Sequence, residues 1–355
     1  MAAGKQAAAW QLSLEALDKK LPPTTPLAER LRRGCAAGSC STPSCGLVSM
    51  RHIAKTGGVS VREWMIRLER RGRAQYLGPV TWMRYRGRYC SHGRYLHCCH
   101  PSDSRAAAEC HKVRLTDARA HAVKLASESM TIGQGGGNTS SGWRRDLLTL
   151  LEFHWPDSAV GRWGDPHTFL QMLPAMRPER FPGHCRVVVT TLLRDPARLY
   201  PSLQLHLFPA MRGYNTRAQS LDPCDFAGFV AAFPNFQSWR LTSSEWSPLP
   251  ESIISHNRMF TAATRLLSKF DLVGVTEDMQ SWITLLCALA AIVPCPALKH
   301  LNQARRSRDD RIKCQPPNWT LVDVAVHRHA HADARLHRWA ESRLKQDMAH
   351  FKIHH

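Results

Sequence analysis

The stretch MRHIAKTGGVSVREWM, Met50–Met65, decides how this chain is read. Apolar residues run into Lys-Thr-Gly-Gly, and a helical pattern restarts at once. A strand that turns sharply into a helix presents unpaired backbone N–H groups and the positive end of the helix dipole, which together hold phosphate or sulfate oxygens. The order is not that of the Walker pattern G-x-x-x-x-G-K-[ST], because Lys55 precedes Gly57 and Gly58. The pattern predicts a strand over Cys45–Lys55 and a helix over Val59–Arg71. Val61, Trp64, Met65 and Leu68 share one face of that helix, and Gly72 ends it. Lys55 supplies a full charge, Thr56 and Ser60 supply hydroxyls, and the backbone through Gly57, Gly58 and Val59 supplies N–H donors. The plainer reading of the same residues is a Gly turn with a capping Ser or Thr.

CRVVVTTLLRD, Cys185–Asp195, is the strongest strand signal in the chain. Its β-branched run is continuous rather than alternating, as in parallel strands covered on both faces. Arg194 stands at its end, and Ser202 follows in LYPS at the start of a predicted helix over Leu199–Phe208, where Pro201 is tolerable in the first turn. An Arg and a Ser hydroxyl at that place make a second anion site. Further strands are expected at Leu147–Phe153 and in DLVGVTE. Helices are expected in SHNRMFTAATRLLSKF and SWITLLCALAAIV. Strands alternate with helices, which predicts an α/β fold with a central parallel sheet whose ligands bind beyond the carboxyl ends of the strands. The expected organisation is an Ala- and Cys-rich lead-in over 1–44, one domain over 45–325 with an irregular insertion at about 72–142, and a basic, His-rich helical tail over 326–355.

The totals agree with a polyanion-handling globular protein. The chain has 355 residues, a formal charge of +20 and 43% hydrophobic residues. That is enough chain for a full core, and the field attracts acidic partners without choosing among them. Loop cysteines such as Cys35, Cys40, Cys45, Cys90, Cys98, Cys99 and Cys110 suggest disulfides and a secretory compartment. The sequons at Asn138 and Asn318 agree. No apolar run reaches the length of a membrane span, and the N-terminus has no apolar signal core. Two readings stay open: a cytoplasmic protein, or a lumenal one whose anchor precedes this sequence. The cluster His92, His97, Cys98, Cys99, His100, Cys110 and His111 has no recognised zinc spacing, so disulfides or free surface residues are expected there and no metal.

The two anion stretches together resemble one family. HIAKTGGVS looks like the 5′-phosphosulfate motif of the Golgi carbohydrate sulfotransferases, commonly H-I-P-K-T-G-G-T-S, and LLRDPARLYPS resembles their 3′-phosphate motif. FDLVGVTEDM resembles the family's later strand, and NFQSWRLTS, Asn235–Ser243, its N-x-Q-T-R segment. The nearest branch is that of the uronyl and heparan sulfate 2-O-sulfotransferases, and the likeness runs from about Gly46 to Cys287. It implies a P-loop NTPase-like three-layer sandwich and 3′-phosphoadenosine 5′-phosphosulfate as co-substrate, with no metal. It further implies Lys55 at the bridging oxygen, Thr56 to Ser60 around the 5′-phosphate, and Arg194 with Ser202 on the 3′-phosphate. The acceptor would be an acidic or neutral glycan, and the compartment the Golgi lumen or membrane. Ala54 replaces the family's usual proline and Val59 a frequent Thr or Ser.

The expected general base is His154, at the end of the LLTLLEFH strand, with Glu152 the second choice on the same side of that strand. The paired H-x-H that the resembled branch carries between its two motifs is absent between Lys55 and Arg194 here. Glu277 is expected to pack or cap after its strand, and the tail to be a solvated helix face. Two other classes stay open. One is a P-loop kinase, against which the missing G-K-[ST] argues. The other is a non-catalytic polyanion binder on a degenerate scaffold. No nucleic-acid module is recognisable.

Overall fold

The computed structural model describes residues 46–77, 148–153, 186–211, 221–243, 254–298 and 314–354. Five strands, β1 (Gly46–Arg51), β2 (Ala74–Leu77), β3 (Leu148–Phe153), β4 (Arg186–Leu193) and β5 (Leu272–Val275), form one sheet in the order β2-β3-β1-β4-β5. Every pairing is parallel. The chain is therefore α/β with an open parallel sheet. From β1 the chain moves out to β2 and back to β3 on one side, then crosses to β4 and β5 on the other. The reversal of direction beside β1 is the switch point at which such sheets bind ligands.

The uninterrupted apolar and β-branched run of β4 has the cause expected of it. Val188, Val189, Thr190, Thr191, Leu192 and Leu193 are all buried, because helices cover both faces. Alternation sends Thr190 to one face and Thr191 to the other. On the first face Trp282 of α6 (Met279–Ala290) donates its indole N–H to the Thr190 hydroxyl at 2.9 Å. On the second, Arg51, in register with Thr191, donates to the Arg240 carbonyl of α4 (Phe236–Thr242) at 3.2 Å.

Helix α1 (Gly58–Arg70) buries Val61, Trp64, Met65 and Leu68, as its period predicts, and Gly72 follows it. Helix α2 (Pro196–Met211) starts earlier than expected. Pro196 takes the first helical position, and the Asp195 carbonyl accepts from Arg198 at 3.0 Å and Leu199 at 2.8 Å. Pro201 thus falls in the second turn, not the first, and forfeits one backbone bond. Helices α3 (Phe226–Ala232), α5 (His256–Leu267) and α6 each begin at a side-chain cap, from Asp225, Ser255 and Asp278 respectively.

β1 ends at Arg51, not Lys55, so Lys55 lies in the loop beyond the strand. The stretch 72–142 is not wholly irregular, because Ala74–Leu77 is the edge strand β2, too short to show a period in sequence. The remainder of that stretch, from residue 78, lies outside the described residues. So do 1–44, the cysteines expected to pair there, and the His92–His111 cluster.

The tail is more than a solvated face. Helices α7 (Trp319–His329) and α8 (His331–His354) contribute Val322, Val326, Leu336, Ala340 and Leu344 to the core. Arg343 donates to the Leu267 and Phe270 carbonyls, both at 2.6 Å, tying α8 to the entry of β5. Disulfides join Cys224 to Cys314 and Cys287 to Cys295. Among the described residues no helix is long and apolar enough to cross a membrane.

Candidate functional site

The parallel register brings the motif-bearing loops to one edge. Arg51 of β1 stands level with Phe153 of β3 and Thr191 of β4, and Leu193 of β4 with Val275 of β5. The loop His52–Gly57, Arg194, and Thr276–Glu277 all leave the sheet there.

The loop after β1 is built by two special backbones. Lys55 has φ 67 and Gly57 has φ 84. The left-handed region is strained for lysine by about 1–2 kcal/mol, and such strain is often kept at binding sites. Gly58 is required for a different reason. A Cβ there would stand 1.8 Å from His52 Nε2. The helix start therefore rests directly on the His52 imidazole. Thr56 spends its hydroxyl proton on the Ile53 carbonyl at 2.8 Å, so it closes the loop rather than facing outward as a donor. Ser60 N–H turns to the Gly57 carbonyl at 2.9 Å. Among the described residues no hydrogen bond takes up the N–H groups of Gly57, Gly58 or Val59. Those three are the donors that a helix start offers to an anion.

Arg194 meets this loop. Its Nη1 donates to the Lys55 carbonyl at 3.1 Å, joining two motifs that lie 139 residues apart. Its Nε is buried without a partner. Lys55 Nζ has no acceptor among the described residues. Burial, and then the nearby Arg194 charge, lower the Lys55 pKa to about 8. Burial also pulls Arg194 below its ordinary value, with Glu277 opposing. Two cations held together, short of counter-charge and beside open N–H groups, are matched by an anion of more than one charge. Ser202 lies in the second turn of α2, half-buried, with no bond to Arg194 among the described contacts.

Residues without an expected role hold Arg194 in place. The Gln237 side chain accepts from Arg194 N–H at 2.8 Å and donates to the Arg194 carbonyl at 2.7 Å. Gln237 is placed by Asp333 of α8, whose carboxylate accepts from the N–H of Gln237 at 2.8 Å and of Ser238 at 2.7 Å, and from the Ser238 hydroxyl at 2.6 Å. Burial pushes the Asp333 carboxyl up to about 6 against these donors. Glu277 accepts from Asp195 N–H at 3.3 Å and pairs with His337 of α8 at 3.1 Å. It thus braces the turn after β4 rather than the end of its own strand, and ties that turn to the C-terminal helix. The clue to Gln237 lies in the segment NFQSWRLTS. Asp333 has no sequence signal beyond an acid in a basic helix.

Glu152 does not face the cleft as a base. It is 4% exposed, and both oxygens are taken. Arg62 binds them in a fork at 2.8 and 2.6 Å, His52 Nδ1 lies 2.6 Å from one, and the Tyr76 hydroxyl donates to the other. Burial alone would raise its pKa, but the Arg62 charge and these bonds hold it well below the usual range. Burial lowers the His52 pKa, with the Glu152 bond opposing. This network locks β1, β2, β3 and α1 together beneath the loop. Alternation along β3 predicts the side of Glu152, but not the arginine waiting on α1. His154 lies outside the described residues, one position past the end of β3.

No family model matches the chain, and no curated protein matches it in sequence. Among the described residues no group of His, Cys, Asp or Glu is arranged to hold a metal ion.

Proposed function

We propose that the chain is a carbohydrate O-sulfotransferase that moves a sulfuryl group from 3′-phosphoadenosine 5′-phosphosulfate to a glycan hydroxyl. The observation that carries this reading is the Arg194 to Lys55 contact at 3.1 Å, which makes one site of the two stretches that resemble the phosphosulfate and 3′-phosphate motifs. The strand order and the helices on both faces support a P-loop-like three-layer sandwich around it. The open N–H groups of Gly57, Gly58 and Val59 suit the 5′-phosphate. Arg194 suits the 3′-phosphate, with Ser202 on the following helix as its companion.

In the transfer, the acceptor oxygen attacks sulfur as the bond to the bridging oxygen breaks. Lys55 would stabilise the charge that develops on that oxygen, and placement by the strained loop supplies much of the remainder. His154 is the residue proposed to take the acceptor proton. Two disulfides support an oxidising compartment, and the Golgi lumen is the proposed one. The net charge of +20 suits an acidic acceptor.

The test is transfer of labelled sulfate from the co-substrate to a panel of uronate-containing and neutral glycans. Lys55→Ala and His154→Ala are expected to abolish transfer while retaining the fold. Transfer undiminished in Lys55→Ala would refute the assignment. ATP-dependent phosphorylation of the same glycans would move the chain to the kinases, and glycan retention without any turnover would make it a binder.

A further inference from the structure

Asn318 belongs to the sequon Asn318-Trp319-Thr320 and stands at the N-cap of α7. Its side-chain oxygen accepts from Leu321 N–H at 3.3 Å. Its amide nitrogen has no partner among the described residues, and the residue is exposed. Thr320 is exposed as well, with its hydroxyl unpartnered among the described residues. The cap uses only the oxygen, so the nitrogen can carry a bulky substituent without loss of the helix start. Upstream, Cys314 is bridged to Cys224, which anchors the segment and suits an oxidising compartment, the kind in which asparagine glycosylation takes place. Beside Asn318, Trp319 is 53% and Leu321 56% exposed, apolar surface that a free helix start leaves in water.

We infer that Asn318 carries an N-linked glycan. The amide nitrogen attacks the anomeric carbon of a lipid-pyrophosphate-linked oligosaccharide. The carbon–oxygen bond to the pyrophosphate breaks, the nitrogen loses a proton, and the lipid pyrophosphate leaves. The glycan then projects from the start of α7 over Trp319. This inference does not depend on the sulfotransferase reading.

The test is mass spectrometry of the protein isolated from its own cells, after an amidase that releases N-glycans and converts the glycosylated asparagine to aspartate. The peptide Cys314–Arg328 is expected to carry aspartate at 318 after the enzyme and to be undetected in bare form before it. Expressed in the same cells, Asn318→Gln and Thr320→Ala are expected to lose one step of gel mobility shift, whereas Thr320→Ser keeps it. Thr320→Ser guards against misfolding, because it alters the same turn while preserving the sequon. Recovery of Cys314–Arg328 entirely unmodified, or identical mobility of all three variants and the native chain, would overturn the inference.

Discussion

Replacing Gln237 by alanine separates the placing of Arg194 from its chemistry. Gln237 touches no proposed ligand atom; it bonds the backbone of Arg194 on both sides, at 2.8 and 2.7 Å. Removing the amide strands one N–H and one carbonyl at the end of β4. Each unsatisfied buried group costs about 1–3 kcal/mol. Arg194 is half-buried, so water relieves part of this, and a loss of about 2–3 kcal/mol in urea unfolding is expected. The freed turn also lets the guanidinium drift from the Lys55 carbonyl. Binding of adenosine 3′,5′-bisphosphate should weaken about tenfold, equivalent to about 1.4 kcal/mol. Gln237→Glu keeps an acceptor for Arg194 N–H but loses the donor to its carbonyl, so it should fall between the two in stability. Native stability in Gln237→Ala would refute the energetic argument. Lost stability with unchanged bisphosphate affinity would refute the positioning role.

Gly58→Ala drives a methyl into the His52 ring, which Glu152 holds from below, so a stability loss of at least about 2–3 kcal/mol is expected in thermal or urea unfolding. Glu152→Ala leaves Arg62 buried without its partner and should cost about 3–5 kcal/mol. Because the folded pKa of Glu152 lies below its unfolded value, its contribution is present above the unfolded pKa and is lost as acid approaches the folded one; Glu152→Gln should therefore flatten the acid limb of a stability–pH profile. Lys55 follows the same sign in a more alkaline window. Its folded pKa of about 8 is below its ordinary value, so the free protein gains stability as pH rises from about 8 toward the unfolded pKa. An anion that restores the charge takes up a proton, so bisphosphate affinity should fall above about pH 8, by up to about tenfold per pH unit. In calorimetry this appears as heats that depend on the buffer, and Lys55→Arg should remove the dependence.

The frame of the fold was legible where periodicity was strong. The run Val187–Leu193 announced a doubly covered parallel strand, and the Val61–Leu68 pattern announced α1, because burial on two faces or one stripe leaves a direct mark on residue type. β2 left no such mark, since four residues at a sheet edge contain too little pattern. The turn from β1 into α1 was legible through Lys55 and the two glycines, but the donor role given to the Thr56 hydroxyl was not, because short side chains in turns bond their own backbone. Glu152 was placed on the correct strand and given the wrong surroundings. A carboxylate's role depends on which cation packs over it, and Arg62 is 90 residues away in sequence. Gln237, Asp333 and Glu277 with His337 act through contacts between distant segments, which one sequence cannot display.

Lys55 and Arg194 are proposed as a single site that reads both ends of an adenosine bisphosphate. Calorimetric titration of the native chain and of Arg194→Ala, with adenosine 3′,5′-bisphosphate and with adenosine 5′-monophosphate, tests it most directly. The native chain is expected to prefer the bisphosphate strongly, and Arg194→Ala to erase most of this preference while leaving monophosphate affinity nearly unchanged. A folded native chain that binds neither nucleotide, or an Arg194→Ala variant that weakens both equally, would contradict it.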